Sequence, residues 1–215
     1  MTPQDQAKQN AAHQALEFIE PGCILGVGTG STSNFFIELL PKIKGKIDAC
    51  VSSSHDTTRR LKALNFHVVE LNSVTGLDVY VDGADEVDPF KNLIKGGGAA
   101  LTFEKLLAVN AKNFVCIVDQ SKCVEKLGRF PLPIEVLPMA RSYIARELVK
   151  ITKAQPLLRE GVTTDSGNLI LDLLHVAYPD ASVLPDFERQ LQCLTGLVEV
   201  GLFAHRRPDH LLIGR

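Results

Sequence analysis

Apolar residues recur along this chain in two alternating periods. Ala7, Ala11, Ala12, Ala15, Leu16 and Ile19 stand near helical spacing and predict a helix over 4–19, closed by Pro21 and Gly22. The run 23–28 reads as a buried strand, and Phe35, Phe36, Leu39 and Leu40 place a helix behind the turn at 29–33. The alternation continues with a strand over 48–52, a helix over 55–64, strands over 67–71 and 77–81, and a strand over 113–118. Strands alternating with helices predict an α/β fold, a Rossmann-like parallel sheet flanked by helices. At Phe130-Pro131-Leu132-Pro133 the texture changes. A strand at 134–137, a helix near 140–152, a strand at 168–174 and a helix to 194 suit a second, smaller α+β lobe. Closing strands at 197–203 and 211–213 are expected back near the first lobe. The expected domains are therefore 1–129 plus 202–215, Rossmann-like and catalytic, and 130–201, small and α+β.

Composition narrows the class without changing it. At 215 residues, 45% hydrophobic and 22% charged, the chain is long enough for one large domain with a smaller companion. A net charge of −2 gives no reason to expect nucleic acid or an anionic membrane as partner. No apolar run approaches the roughly 18 residues that cross a bilayer, and the polar start MTPQDQAKQN lacks the apolar core of a secretion signal. A cytoplasmic location is expected. Five cysteines without a CxxC pair read as small hydrophobes, and the six histidines show no metal-ligand spacing, so no metal is expected.

The chemistry-bearing residues concentrate after strands. Following the strand at 77–81 come Asp82, Asp85, Glu86 and Asp88, with Pro89 stopping any helix. Lys95 then meets Gly96, Gly97 and Gly98, and an apolar stretch carries Glu104. In open α/β sheets ligands bind beyond the carboxyl ends of strands, and glycines let backbone N–H groups approach an anion. The first strand likewise runs into Thr29, Gly30, Ser31 and Thr32 before a helix, an arrangement suited to phosphate. Gly26, Gly28 and Gly30 form GxGxG rather than GxGxxG, and no GK[ST] follows, so neither the dinucleotide fingerprint nor the ATP loop is present. A plain helix cap without ligand remains the alternative for this turn. Ser52, Ser53 and Ser54 cap a helix or face the same pocket. Turns after strands at Thr29, Ser52, Asp82 and Asp119 are expected to converge on one sheet edge. Taken singly, Asp82 and Asp85 could be turn residues, Glu104 and Lys105 a solvated helix face, and Lys8 and Lys95 surface lysines.

Taken in order, the segments Gly26-Val27-Gly28-Thr29-Gly30-Ser31-Thr32, Asp82-Gly83-Ala84-Asp85-Glu86-Val87-Asp88, Asn92-Leu93-Ile94-Lys95-Gly96-Gly97-Gly98, Glu104-Lys105, Ser121-Lys122, Phe130-Pro131-Leu132-Pro133-Ile134-Glu135-Val136 and Gly201-Leu202-Phe203 resemble the type A ribose-5-phosphate isomerases over nearly the whole length. The resemblance implies that Thr29, Gly30, Ser31 and Thr32, with Lys8 and Lys122, hold the phosphate. It implies that Asp82, Gly83, Ala84, Asp85, Lys95, Gly96, Gly97 and Gly98 line the sugar pocket and that Glu104 is the base. It also implies a sugar-phosphate substrate, no metal or organic cofactor, and a homodimer or homotetramer. The residue types suit aldose–ketose chemistry independently. One fixed, partly desolvated carboxylate can carry a proton between C2 and C1 through an enediolate. An amine and N–H groups can meet the charge that develops on oxygen, and Asp82, assisted by Asp85, can open the sugar ring. The rivals are a sugar-phosphate sensor, an amino-sugar phosphate deaminase and a CoA transferase, which fold analogy alone does not separate.

Overall fold

The computed structural model describes residues 1–215. In chain order the helices are α1 (Pro3–Ala15), α2 (Ser31–Leu39), α3 (His55–Ala63), α4 (Leu101–Asn110), α5 (Arg141–Thr152) and α6 (Leu184–Gln192). The strands are β1 (Cys23–Val27), β2 (Ile47–Ser52), β3 (Leu77–Asp82), β4 (Glu86–Val87), β5 (Leu93–Ile94), β6 (Ala111–Asp119), β7 (Leu132–Val136), β8 (Gln155–Leu158), β9 (Leu169–Leu174), β10 (Leu197–Val200), β11 (Leu202–Phe203) and β12 (His210–Gly214). They group into two compact units, Met1–Ala84 with Phe103–Cys123 and Pro208–Arg215, and Asp85–Thr102 with Val124–Arg207.

The first unit holds a five-stranded parallel sheet in the order β12-β6-β3-β1-β2. The central stretches of its strands, such as Leu25 to Val27, Val79 to Val81 and Phe114 to Val118, are apolar and buried, as strands covered on both faces must be. Register aligns Val27 with Ser52 and Val81, Asp82 with Cys116, and Asp119 with Gly214, so the carboxyl ends of β1, β2, β3 and β6 lie at one edge. That is the expected convergence of turns. Helix α1 begins with a capping box, Thr2 and Asp5 exchanging bonds, and Pro3 in the first turn. It buries only alanines, Ala7, Ala11, Ala12 and Ala15. Small side chains let it pack so close to β12 that a Cβ on Gly214 would fall 1.7 Å from the Ala7 carbonyl oxygen. The main core of this unit packs Leu25, Val27, Phe36, Leu40, Val79, Val81, Val115 and Ile117 with α1. Cys23, Cys50 and Cys116 are buried as small apolar groups.

The second unit carries two antiparallel sheets, β10-β7-β9-β8 and β11-β5-β4. Its core is built from Leu132, Ile134, Val136, Ile144, Leu148, Leu171, Leu173, Leu184, Phe187 and Leu191. It takes in more chain than the expected 130–201, including the acidic loop from Asp85 and the whole Lys95–glycine segment.

Three expected elements differ. Residues 67–71 form no strand: a single parallel bridge joins Val68 to Cys50, and a short helical turn starts at Leu71. The expected closing strand over 197–203 is two strands, divided at Gly201, and both belong to the second unit. Gly201 is the crossing point. Its N–H donates to the Pro133 carbonyl at 2.7 Å and its carbonyl accepts from the Lys95 N–H at 2.8 Å, while a Cβ there would lie 2.4 Å from the Lys95 oxygen. Finally, the expected helix over 4–19 is α1 followed by a short 3-10 turn at Leu16–Phe18.

Candidate active site

In the first unit the turn after β1 is set by what β3 places beside it. In the β1–β3 register Gly26 faces Tyr80, and a Cβ on Gly26 would come within 2.9 Å of the tyrosine ring. A Cβ on Gly28 would lie 1.9 Å from Asp82 Oδ1. These two glycines are thus required by the neighbouring strand, whereas Gly30 is required by its own backbone, at φ 108°, where it ends the turn and caps α2. No side chain caps α2, which leaves its first turn, Ser31 and Thr32 included, as the anion-ready end of a helix dipole.

Asp82 is fully buried. Its Oδ1 accepts from the N–H of Thr29 at 3.1 Å, the N–H of Gly83 at 2.7 Å and the Ser33 hydroxyl at 3.2 Å, and its Oδ2 accepts from the Tyr80 hydroxyl. The carboxylate therefore ties the turn after β1 to the end of β3. Burial first, then the charges of Asp82 and Glu104, push the Tyr80 hydroxyl well above its ordinary range. Glu104 on α4 is 4% exposed and its neighbour Lys105 is 6% exposed. Neither belongs to a solvated helix face.

Around this carboxylate cluster stands a set of hydroxyls. Thr29 Oγ1 lies 2.9 Å from Ser53 Oγ, 2.7 Å from Ser54 Oγ and 3.2 Å from Thr57 Oγ1, and Thr57 donates to the Gly28 carbonyl at 2.8 Å. Ser54 is also the cap of α3, so the capping reading of the serine run holds at Ser54. Thr29 thus turns its side chain inward, while Ser31 turns outward: Lys8 on α1 donates to Ser31 Oγ at 3.0 Å. The close α1 packing described above puts that ammonium at the start of α2. Gln4, one turn earlier, reaches Asp119 and Ser121, next to Lys122. Burial would raise the Asp119 carboxyl, but hydrogen bonds from Ser121 and Gln4 and the Lys8 charge hold it below its ordinary range.

The second unit carries Asp85, Lys95 and the three glycines. Lys95 is 2% exposed and its ammonium stands 5.6 Å from the centre of the Phe203 ring. Gly96 is buried at φ 107° and Gly97 is exposed; the Gly97 N–H donates to Asp85 Oδ2 at 2.8 Å, and a Cβ on Gly97 would meet Asp85 Oδ1 at 2.6 Å. Gly97 is bare because the Asp85 carboxylate occupies the space its side chain would take, and at Gly96 a Cβ would press on Leu101 and Pro133 at 3.1 and 3.2 Å. The other two acids of this stretch are structural. Glu86 accepts from the N–H groups of Gly128 and Phe130 at 2.7 and 2.6 Å. Asp88 closes its own loop through the N–H groups of Phe90 and Asn92. Arg159, Tyr80 and Thr57 were not picked out in the sequence. A single arginine, tyrosine or threonine carries no local sign of what it touches.

A family model for ribose 5-phosphate isomerase A (phosphoriboisomerase A) matches residues 49–215. The structure of ribose 5-phosphate isomerase A from Neisseria gonorrhoeae is 44% identical and superposes with a TM-score of 0.94 over 100% of this chain and 95% of that one. A D-ribose-5-phosphate isomerase solved in complex with phospho-erythronic acid is 39% identical, with a TM-score of 0.92 over 99% and 96%. The ribose 5-phosphate isomerase of Plasmodium falciparum is 30% identical, with a TM-score of 0.86 over 97% and 94%. The chain belongs to the ribose 5-phosphate isomerase A family, and it is an aldose–ketose isomerase.

Proposed function

We propose that the protein interconverts D-ribose 5-phosphate and D-ribulose 5-phosphate through an enediolate, with Glu104 moving the proton between C2 and C1. The observation that carries this reading is the cluster in the first unit. Asp82 is fully buried and bonds both Tyr80 and the turn that opens α2, and Glu104 of α4 is a second buried carboxylate in the same unit. A desolvated carboxylate is a stronger base than a hydrated one, which suits abstraction from carbon. In this reading the phosphate rests on the first turn of α2 (Gly30, Ser31, Thr32), with Lys8 and Lys122 as counter-charges and Thr29 fixing the turn. Phosphate binding far from the reacting carbons then supplies orientation.

Ring opening needs a proton removed from the O1 hydroxyl and one delivered to the ring oxygen. Asp82 and Asp85, three residues apart in the chain, are assigned this step; Asp85 is half-buried and can exchange protons with solvent, while Asp82 is fixed. Lys95, with the Gly98 N–H, meets the negative charge developing on O2 and O1, while the Gly97 N–H holds Asp85. A cytoplasmic location and a homodimer or homotetramer complete the proposal, the latter to be weighed by light scattering. Phospho-erythronic acid, held by a similar isomerase, should compete with substrate here.

The test is proton exchange in heavy water followed by NMR, on the wild-type protein and on Glu104→Gln, with ribose 5-phosphate. Ribulose 5-phosphate deuterated at C1 from wild type, and a loss of about 10²–10⁴-fold in Glu104→Gln, is the expected result. Turnover retained in Glu104→Gln would remove that residue as base.

A further inference from the structure

Arg159 lies just past β8 and continues its pairing, its N–H donating to the Ile170 carbonyl at 2.9 Å. Asp172 of β9 stands opposite Leu157, so Arg159 and Asp172 are diagonal neighbours on one sheet face. The guanidinium meets that carboxylate through two bonds, Nε to Oδ2 at 2.8 Å and Nη2 to Oδ1 at 2.5 Å. Its remaining arm, Nη1, donates to the carbonyls of Gly96 at 2.9 Å and Gly97 at 3.1 Å. Both ionic side chains are less than one-fifth exposed.

A trans peptide points its C=O and N–H in opposite directions. The Gly96 carbonyl therefore turns to Arg159 while the N–H of the same peptide, on Gly97, turns to Asp85. The Gly97 carbonyl also turns to Arg159, which directs the Gly98 N–H away from it. One cation thus fixes two successive peptide groups, and its charge polarises both, strengthening their N–H groups as donors. With a φ of 107° at Gly96 and no Cβ at 96, 97 or 98, the segment has no side chains of its own to hold that orientation.

We infer that Arg159, locked by Asp172, is a positioning residue that sets the Gly97 and Gly98 N–H groups, and through Gly97 the Asp85 carboxylate, for the isomerisation. This rests on the reading of Asp85 and the glycine segment given above.

The test uses Arg159→Ala, Arg159→Lys and Asp172→Asn in the full-length protein, with kcat and KM for ribose 5-phosphate, the inhibition constant of inorganic phosphate, and the exchange rate of the Gly97 amide by NMR. Expected are a fall in kcat of about 10²-fold in Arg159→Ala, the size of loss a displacement near 1 Å produces, phosphate inhibition within about twofold of wild type, and faster Gly97 exchange. Guanidinium at millimolar levels should recover part of kcat in Arg159→Ala. Lysine should not replace arginine, because it lacks the planar fork that reaches a carboxylate and two carbonyls together. Unchanged kcat with wild-type Gly97 exchange in folded variants, or kcat and phosphate affinity falling together with thermal stability, would overturn the proposal. If Arg159→Ala does not fold, Asp172→Asn decides by the same measures. Slow Gly97 exchange in the variants sinks the positioning role whatever the activity; fast exchange with unaltered kcat sinks the assignment of the glycine segment to catalysis and leaves the positioning geometry standing.

Discussion

The Asp82 carboxylate occupies the space that a side chain on Gly28 would need: a Cβ built there falls 1.9 Å from Oδ1 and 2.0 Å from Cγ. The neighbouring bond, Gly28 N–H to the Val81 carbonyl at 2.9 Å, holds the two chains too firmly to separate. Gly28→Ala therefore has to push Asp82 out of its bonds to Thr29, Gly83 and Ser33. Overpacking of this kind costs about 1–3 kcal/mol, so urea unfolding should show that loss, together with a fall of at least about tenfold in kcat/KM as the turn loses its anchor. A variant of wild-type stability and activity would show that the Asp82 position is not needed.

What could be read from the sequence, and what could not, follows from this pair. The strand–turn–helix at 23–40 and the acids after 77–81 are local patterns, and they mark the site edge because parallel strands bring their carboxyl ends together. The reason for the glycines was not local. GxGxG fails as a dinucleotide fingerprint and gives no other local reason for its glycines, whereas Gly26 and Gly28 make room for Tyr80 and Asp82 of a strand some 50 residues away. Glu86 and Asp88 stand in the same acidic run as Asp85, yet they are buried on backbone N–H groups, whereas Asp85 holds the Gly97 N–H and stays half-exposed. Only the fold separates an acid that caps from one left half-exposed. The division at Gly201 was hidden for a similar cause, since an apolar run 197–203 gives no sign that two backbones cross in its middle.

The first turn of α2 should respond as a phosphate seat. Lys8 donates to Ser31 at that turn, so Lys8→Ala removes a cation from the helix N-terminus and leaves the buried cluster alone. KM for ribose 5-phosphate should rise about three- to tenfold, the size of one exposed charge interaction with a dianion, with kcat changed by less than about twofold. The effect should shrink with added salt. Equal KM values for Lys8→Ala and wild type at low salt would place the phosphate elsewhere.

Tyr80→Phe probes the same carboxylate from the other side. The ring is fully buried and stacks on Phe114 at a centroid distance of 5.2 Å, so phenylalanine fits with no loss of packing. Asp82 Oδ2 loses its phenolic donor, and a buried charged oxygen left short of a partner costs about 1–3 kcal/mol. The expected outcome is that loss of unfolding free energy with a reduced kcat. Full stability in Tyr80→Phe would mean that the phenol contributes packing alone.

Alkaline pH should weaken the fold through its buried thiols and phenols. Burial, with the nearby Asp78, pushes the Cys23 thiol from an ordinary 9.0 to about 12; burial, with Cys23, does the same to Cys50. Burial likewise raises Tyr178, aided by Glu86, and Tyr80. All four groups lose protons more easily unfolded than folded. Above pH 9 the unfolded chain therefore binds fewer protons, so stability is full below the ordinary thiol value and declines as pH rises through 9.0 toward about 12. Each thiol contributes a slope of up to about 1.4 kcal/mol per pH unit. Urea unfolding at a series of pH values should show the decline, and Cys23→Ala with Cys50→Ala should flatten it. The phenolic absorbance of Tyr80 and Tyr178 should appear only as the protein unfolds. A flat unfolding free energy through this range, or early ionisation of both tyrosines in the folded protein, would contradict the buried placement of these groups.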